Sequence, residues 1–340
     1  MKQYRNILIG AAMASVTGVG IAQAQDVFLK MDSFPPGTTA GQFGIVFTQI
    51  VQKNTPYKIQ VSSGKAATKS AIAAAKKQVD LILTAPTINH FMQKKAAMYK
   101  KVTDADKLNQ NLRGIINYAL GPYHMIVYED SGIKTLKDIK GKKVFLGPPA
   151  GAATRVTTQI VSGATGYEPG KDFEVMRFDW KTAETAFIDR QMDVYMGPTT
   201  VPSPSVQQYA LVSKIRFLGI PDEAFDTKPM KAALGLPGRT IHDIPANVYD
   251  NQANETAVKT IGSWVGLGSH KWLDEKIVYN MTKVFWENIA EVHATAEWMK
   301  SITKESALKE MNIPLHIGAY KYYKESGFNI PDNLIPPEAK

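Results

Sequence analysis

Apolar and polar positions follow two alternating periods along the chain. Residues 27–31 (Val-Phe-Leu-Lys-Met) predict a first strand, and residues 33–39 a turn with Ser and Thr capping candidates. Phe43, Val46, Phe47, Ile50 and Val51 then recur at helical spacing. Residues 57–61 predict a second strand, the alanine-rich stretch 66–77 a second helix, and residues 79–83 a third strand. The order βαβαβ argues for a parallel sheet with ligand loops at the strand C-termini. The pattern then repeats. Residues 125–128, 143–146 and 173–178 predict strands, and residues 182–191 a helix with Ala183, Ala186 and Phe187 inward. Between residues 201 and 254 the chain is dotted with prolines, and only residues 215–220 predict a strand. Residues 261–267 predict another. Residues 274–294 predict a long helix with Ile277, Met281, Val284, Phe285, Asn288 and Val292 on one face, and a short helix follows around residues 305–310.

One internal match goes beyond topology. Gln78-Val79-Asp80-Leu81-Ile82-Leu83-Thr84-Ala85-Pro86-Thr87 lines up with Gln191-Met192-Asp193-Val194-Tyr195-Met196-Gly197-Pro198-Thr199-Thr200. Each is a helix end, an acidic residue, a buried strand and a Pro-Thr turn, which suggests two similar α/β lobes with a cleft between them. Residues 144–155 (VFLGPPAGAATR) read as a strand, a tight turn and a helix start. A small-residue loop at a helix N-terminus leaves backbone N–H groups free for an anion. Arg155 stands in that first turn, the unfavourable helix end for a cation. It is placed there either to grip a carboxylate or to form a surface or interlobe salt bridge.

Composition narrows the function classes. Lys2 and Arg5, an apolar and small-residue run over 7–21, and Ala22-Gln23-Ala24 fit a secretory signal cleaved after Ala24, which places the protein in the periplasm. That run is too short for a membrane span, and no later stretch reaches the roughly 18 apolar residues a span needs. Cysteine is absent, which excludes thiolate zinc sites, Cys nucleophiles and a lipoprotein anchor. The formal charge of +9 is spread over scattered lysines, a distribution suited to attracting small anions and not to a nucleic-acid stripe. The six histidines show no metal-ligand spacing, so neither metal nor cofactor is expected. Ser62-Ser63-Gly64-Lys65 satisfies S-x-x-K, a serine-hydrolase pattern, but so do residues 131–134 and 301–304, and no K-T-G, S-D-N or G-x-S-x-G partner accompanies them. The protein is expected not to be an enzyme.

Residues 313–327, IPLHIGAYKYYKESG, resemble the closing signature of the TAXI-type solute receptors of TRAP (tripartite ATP-independent periplasmic) transporters, close to I-P-L-H-x-G-A-x-x-Y-Y-x-E-x-G. The stretch DSGIKTLKDIKGKKVFLGPPAGAATR and the segments QVDLILTA and QMDVYMGPT resemble that family in order, over nearly the whole chain after the signal. The resemblance implies an α/β, two-lobed type II periplasmic binding protein, with parallel-type sheets flanked by helices and a ligand cleft between lobes. The expected division is a signal peptide over 1–24, lobe 1 over 25–122, lobe 2 over 123–257, and a return to lobe 1 over 258–340. It also implies a monomer that does not span the membrane, captures a small organic anion of the carboxylate, dicarboxylate or amino-acid kind, and hands it to a TRAP permease. A sensor or protein-binding receptor of the same fold is the alternative.

Departures from the family fall at the ligand loops. Pro36-Gly37-Thr38-Thr39 stands where T-G-G-T-Y-Y is usual, Ser62 to Thr68 where G-G-S-x-x-N is usual, and Ala150 to Thr154 where G-S-G-T is usual. By resemblance, the pocket draws Thr38, Thr39, Ser63, Lys65 and Thr84 from the first lobe. The second lobe contributes Gly151, Ala152, Thr154 and Arg155, together with Trp180 and Thr199. Lys65, a cation where the family has a small residue, suggests an extra negative group on the ligand, or else a solvated lysine at a helix start. His316 is expected to be a structural hydrogen-bonding residue.

Overall fold

The computed structural model describes residues 26–340. The expected signal peptide and its cleavage point lie outside the described residues. Strand β1 (Val27–Ser33), helix α1 (Thr39–Asn54), β2 (Tyr57–Ser63), α2 (Ala67–Ala75) and β3 (Leu81–Thr84) come first, and β1 runs parallel to both β2 and β3. This is the predicted βαβαβ unit. It forms because Phe43, Val46, Phe47, Ile50 and Val51 bury one stripe of α1 against the sheet. Helices α3 (Pro86–Gln93) and α4 (Ala105–Asn109) lead into β4 (Leu112–Tyr128).

The second lobe is built alike. Strand β5 (Lys143–Phe145), helix α5 (Ala152–Thr165), β6 (Glu174–Val175), α6 (Trp180–Ile188) and β7 (Val194–Pro198) place β5 between and parallel to β6 and β7. Helix α7 (Pro204–Val212), β8 (Ile215–Phe217), α8 (Lys228–Leu234), β9 (Arg239–Ile244) and β10 (Val258–His270) follow. The chain closes with α9 (Glu275–Glu287), α10 (Ile289–Thr295) and α11 (Ile317–Glu325).

The strand order is β2-β1-β3-β10-β4-β7-β5-β6, with β8 on β4 and β9 on β10. Two parallel three-stranded blocks are therefore joined through an antiparallel pair, β4 and β10, that runs through both lobes. At the crossing, Ser263 faces Gly121 while Trp264 faces Ala119, so Leu120 is an extra residue bulged out of the ladder. Apolar side chains divide at the same place. Ile116, Tyr118, Val265 and Leu267 join the core under β1–β3, whereas Tyr123, Met125 and Ile261 join the core of the other block.

Three expectations are corrected. The strand predicted over 125–128 is the end of a 17-residue strand, hidden because nearly every position of β4 is buried and no period-2 signal remains. The single helix over 274–294 is two helices. At Asn288 the side-chain Nδ2 donates to Val284 O at 2.7 Å and breaks the stripe, since a local side-chain bond competes with the helix ladder. Residues 305–310 form turns instead of a helix and end on Glu310 at a positive φ of 58°. His316 caps α11 through Gly318 N and meets Leu273 O with its other nitrogen, the structural role expected of it.

Candidate functional site

A cavity of about 140 Å³ lies between the lobes, against the β4–β10 crossing. From the first lobe it is lined by residues 64–68, where α2 begins, and from the second by Gly151, Ala152 and Ala153, where α5 begins. Neither helix has a side-chain cap: Ala66 and Gly151 hold the N-cap positions. First-turn N–H groups of both helices thus open on the same space, each carrying the partial positive charge of a helix N-terminus. The turn before α5 needs unusual backbone, with Gly147 at φ +116° and Ala150 at +58°, and Thr154 Oγ1 closes it by donating to Pro148 O at 2.6 Å.

The buried cation on this cavity is Arg239, at the start of β9. Only 9 % of it is exposed, its Nη1 donates to Ser263 Oγ, and its guanidinium lies 5.3 Å from the Tyr123 ring centroid. Its buried Nε has no partner, and no carboxylate pairs with it among the described residues. A buried charge left unpaired is costly, so its natural complement is an anion from outside. Sequence reasoning missed Arg239. It sits in the proline-dotted stretch, in a strand whose four inner residues are exposed and give no alternation.

The residues expected at the site separate into groups. Lys65 lines the cavity, but its Nζ is bound to Asp32 Oδ1 at 2.8 Å, and Ser70 donates to Oδ2 of the same buried carboxylate at 2.9 Å. Its charge is already paired with a carboxylate of the fold. Gly151, Ala152 and Trp180 face the cavity. Thr38, Thr39 and Thr199 instead line a second, smaller cavity of about 60 Å³ on the other side of Trp180. There Thr38 caps α1 by accepting from Gly41 N, and Thr39 Oγ1 bridges the lobes, 3.0 Å from both Thr199 Oγ1 and Thr200 Oγ1.

Four residues are not brought to either cavity. Arg155 is exposed, stacked 5.4 Å from the Phe91 ring centroid, and faces an open groove together with Thr154. Ser63 is exposed at the end of β2. Thr84 is buried, with its hydroxyl on Asn89 Oδ1 at 3.2 Å.

The smaller cavity also holds a carboxyl group, Glu184 on α6. Burial raises its pKa above the ordinary value, only partly offset by a long hydrogen bond of 3.4 Å from Ser205. Among the described residues no group of His, Asp or Glu is arranged to hold a metal ion, and no helix is long and apolar enough to cross a membrane.

Comparison with known proteins adds the following. The model of the NMT1-like family matches residues 36–327. A solved structure of a periplasmic transporter is 16 % identical, with a TM-score of 0.53 over 89 % of this chain and 93 % of that one. The periplasmic binding protein BugD is 12 % identical, with a TM-score of 0.55 over 90 % of this chain and 99 % of its own. At such identities the likeness is one of fold, and the fold is that of the two-lobed periplasmic binding proteins.

Proposed function

This chain belongs to the NMT1-like family, and from that premise we propose that it is a periplasmic solute receptor of the TAXI type. It captures a small organic anion between its lobes and delivers it to a TRAP permease. The observation that carries the reading is Arg239, a buried cation without a carboxylate partner, facing a cavity onto which two uncapped helix N-termini open. Guanidinium and backbone N–H groups together suit a carboxylate, which accepts on both oxygens. The TAXI assignment is favoured by the closing signature over 313–327, whose Tyr323 and His316 are buried structural residues. The lobes are proposed to exchange near residues 121 and 263, where the bulge lies, so residues 258–262 go with the second lobe and not the first. An exported serine hydrolase is disfavoured, because the lysine of Ser62-x-x-Lys65 is held by Asp32.

The test is a thermal-shift screen on protein refolded from denaturant to strip carried-over ligand. The panel holds mono- and dicarboxylates, oxo-acids, amino acids and sulfonates. A binder at about 100 times its dissociation constant adds roughly 2.7 kcal/mol of stability. Arg239→Met, which keeps most of the side-chain volume, is expected to remove most of that shift. A flat panel, or a shift that Arg239→Met leaves intact, would refute the anion reading and favour the sensor or protein-binding role.

A further inference from the structure

The smaller cavity is closed from the first lobe by Phe34, Thr38, Thr39 and Ala40, and from the second by residues that include Glu184 on α6 and Ser205 on α7. Gly37, on the first-lobe side, lies over the carboxyl group: a Cβ there would stand 3.9 Å from Glu184 Oε2. Ser205 Oγ has two acceptors within reach, Gly37 O across the cleft at 3.1 Å and Glu184 Oε1 on its own lobe at 3.4 Å. A hydroxyl has one proton to donate, so the two acceptors compete for it.

The protonation state of Glu184 decides that competition. An ionised carboxylate is the stronger acceptor and draws the Ser205 proton away from Gly37 O. A protonated one has an O–H of its own. It donates to Ser205 Oγ, and the Ser205 proton is left for Gly37 O. We propose that Glu184, Ser205 and Gly37 O form a proton-operated latch, in which a proton taken up by Glu184 from solvent holds the lobes closed and its loss loosens them. This rests on the hinged two-lobe reading, not on which anion Arg239 receives. The other ionisable groups facing the cavity are the hydroxyls of Tyr195 on β7 and Tyr209 on α7, both kept neutral by burial, and first-lobe residues 34–40 carry none. On α6 itself Asp179 caps the helix and Lys181 is exposed, and no cation is ion-paired with Glu184 among the described residues. Burial raises the Glu184 pKa above its ordinary 4.5, and parting the lobes would return the carboxyl to water, so closure takes up a proton. The closed form gains most below pH 4.5 and loses that gain as pH rises through the raised value.

The experiment is single-molecule energy transfer on the refolded, ligand-free chain. Cysteine is absent from the sequence, so Lys69→Cys on α2 and Lys171→Cys in the second lobe, both at exposed positions, take a donor and acceptor dye pair without background. Between about pH 8 and about pH 5 the ratio of closed to open molecules is expected to rise about threefold or more, the worth of one hydrogen bond gained across the cleft. Glu184→Gln, whose amide donates to Ser205 Oγ as the protonated acid does, is expected to show the acid ratio at both pH values. Ser205→Ala, which removes the shared hydroxyl and leaves the carboxyl in place, is expected to lose most of the rise. An equal ratio at both pH values in the unaltered protein would overturn the latch. So would a rise that either substitution leaves intact, since the histidines retained in both variants would then account for it. If neither pH nor any compound of the carboxylate panel moves the transfer, the lobes do not part, and the hinge reading fails together with the latch. Transfer that a compound moves and pH does not overturns the latch alone.

Discussion

Arg239 and Lys65 are two cations on one cavity, and they differ in what neutralises them. Lys65 has Asp32 at 2.8 Å and a side chain that is 56 % exposed, so solvent and the partner carboxylate already screen it. Arg239 is buried with no carboxylate partner, so an incoming anion meets its full charge at low dielectric. Calorimetry with the best ligand of the panel should therefore rank three substitutions. Arg239→Met is expected to cost about 2–5 kcal/mol of binding, the range for truncating one partner of a buried charge pair. Lys65→Ala is expected to cost less than about 1 kcal/mol, as for a solvent-exposed pair, and Arg155→Ala to leave affinity unchanged. Equal losses for Arg239 and Arg155 would mean that the cavity facing Arg239 is not where the anion sits. The difference also marks what was legible in the sequence. The loop before α5 could be read because its chemistry belongs to the backbone, and small residues followed by a helix announce free N–H groups. Arg239 could not, because its lack of a salt-bridge partner is a property of the folded chain. Thr38, Thr39 and Thr199 were recognised as polar loop residues but not as the lining of a separate cavity, which depends on where Trp180 stands.

The elements carry a similar lesson. The βαβαβ unit was legible because each helix has one buried stripe and each strand is short. Strand β4 was not, since burial along its whole length erases the alternation that marks a strand. One of its two irregular points against β10, the bulge at Leu120, is followed by Gly121 at φ +109°. A Cβ there would fall 2.2 Å from Thr199 O, a backbone atom that cannot turn aside. Gly121→Ala is therefore expected to destabilise the protein by about 1–3 kcal/mol, the scale of strained backbone, seen as a lower urea midpoint. At the far end of β4 a second device is electrostatic. Glu129 takes hydrogen bonds from Arg216 on β8 at 2.6 and 3.0 Å, with Lys134 alongside, and the Arg216 bonds above all hold its pKa down to about 2. A carboxyl depressed in the folded state contributes stability that is fully present above its ordinary value of 4.5 and fades as pH falls towards about 2. Glu129→Gln should be less stable than the unaltered protein at pH 7, and the gap should close between pH 4.5 and pH 2. Urea midpoints measured across that interval check it, and a gap of constant size would show that the Glu129 charge does not stabilise the fold.

At the scale of the molecule, what joins the lobes is slight compared with what holds each one together. Beyond the β4–β10 pair, polar links across the cleft are few. Thr39 meets Thr199 and Thr200, Ser205 donates to Gly37 O at 3.1 Å, Thr87 donates to Pro237 O at 2.8 Å, and Gly238 N donates to Glu310 at 2.9 Å. Hydrogen bonds of this kind contribute about 1 kcal/mol each, while separating the lobes would return every one of them to water. Such a balance suits a hinge equilibrium that a ligand can tip, provided the ligand touches both sides. The cavity offers that condition, with the start of α2 on one side and Arg239 and the start of α5 on the other. Small-angle scattering of the stripped protein should therefore show a smaller radius of gyration once the ligand is added. Thr39→Val removes the hydroxyl shared by Thr199, by Thr200 Oγ1 and by Thr200 N without touching the anion cavity. It should leave the ligand-free protein more extended and weaken binding by roughly 3- to 30-fold, the cost of lost closure reappearing as lost affinity. Full compaction with unchanged affinity in Thr39→Val would show that this contact does not govern closure. No compaction in the unaltered protein at saturating ligand would show that the lobes do not move, and the cavity would then have to fill and empty through a fixed opening.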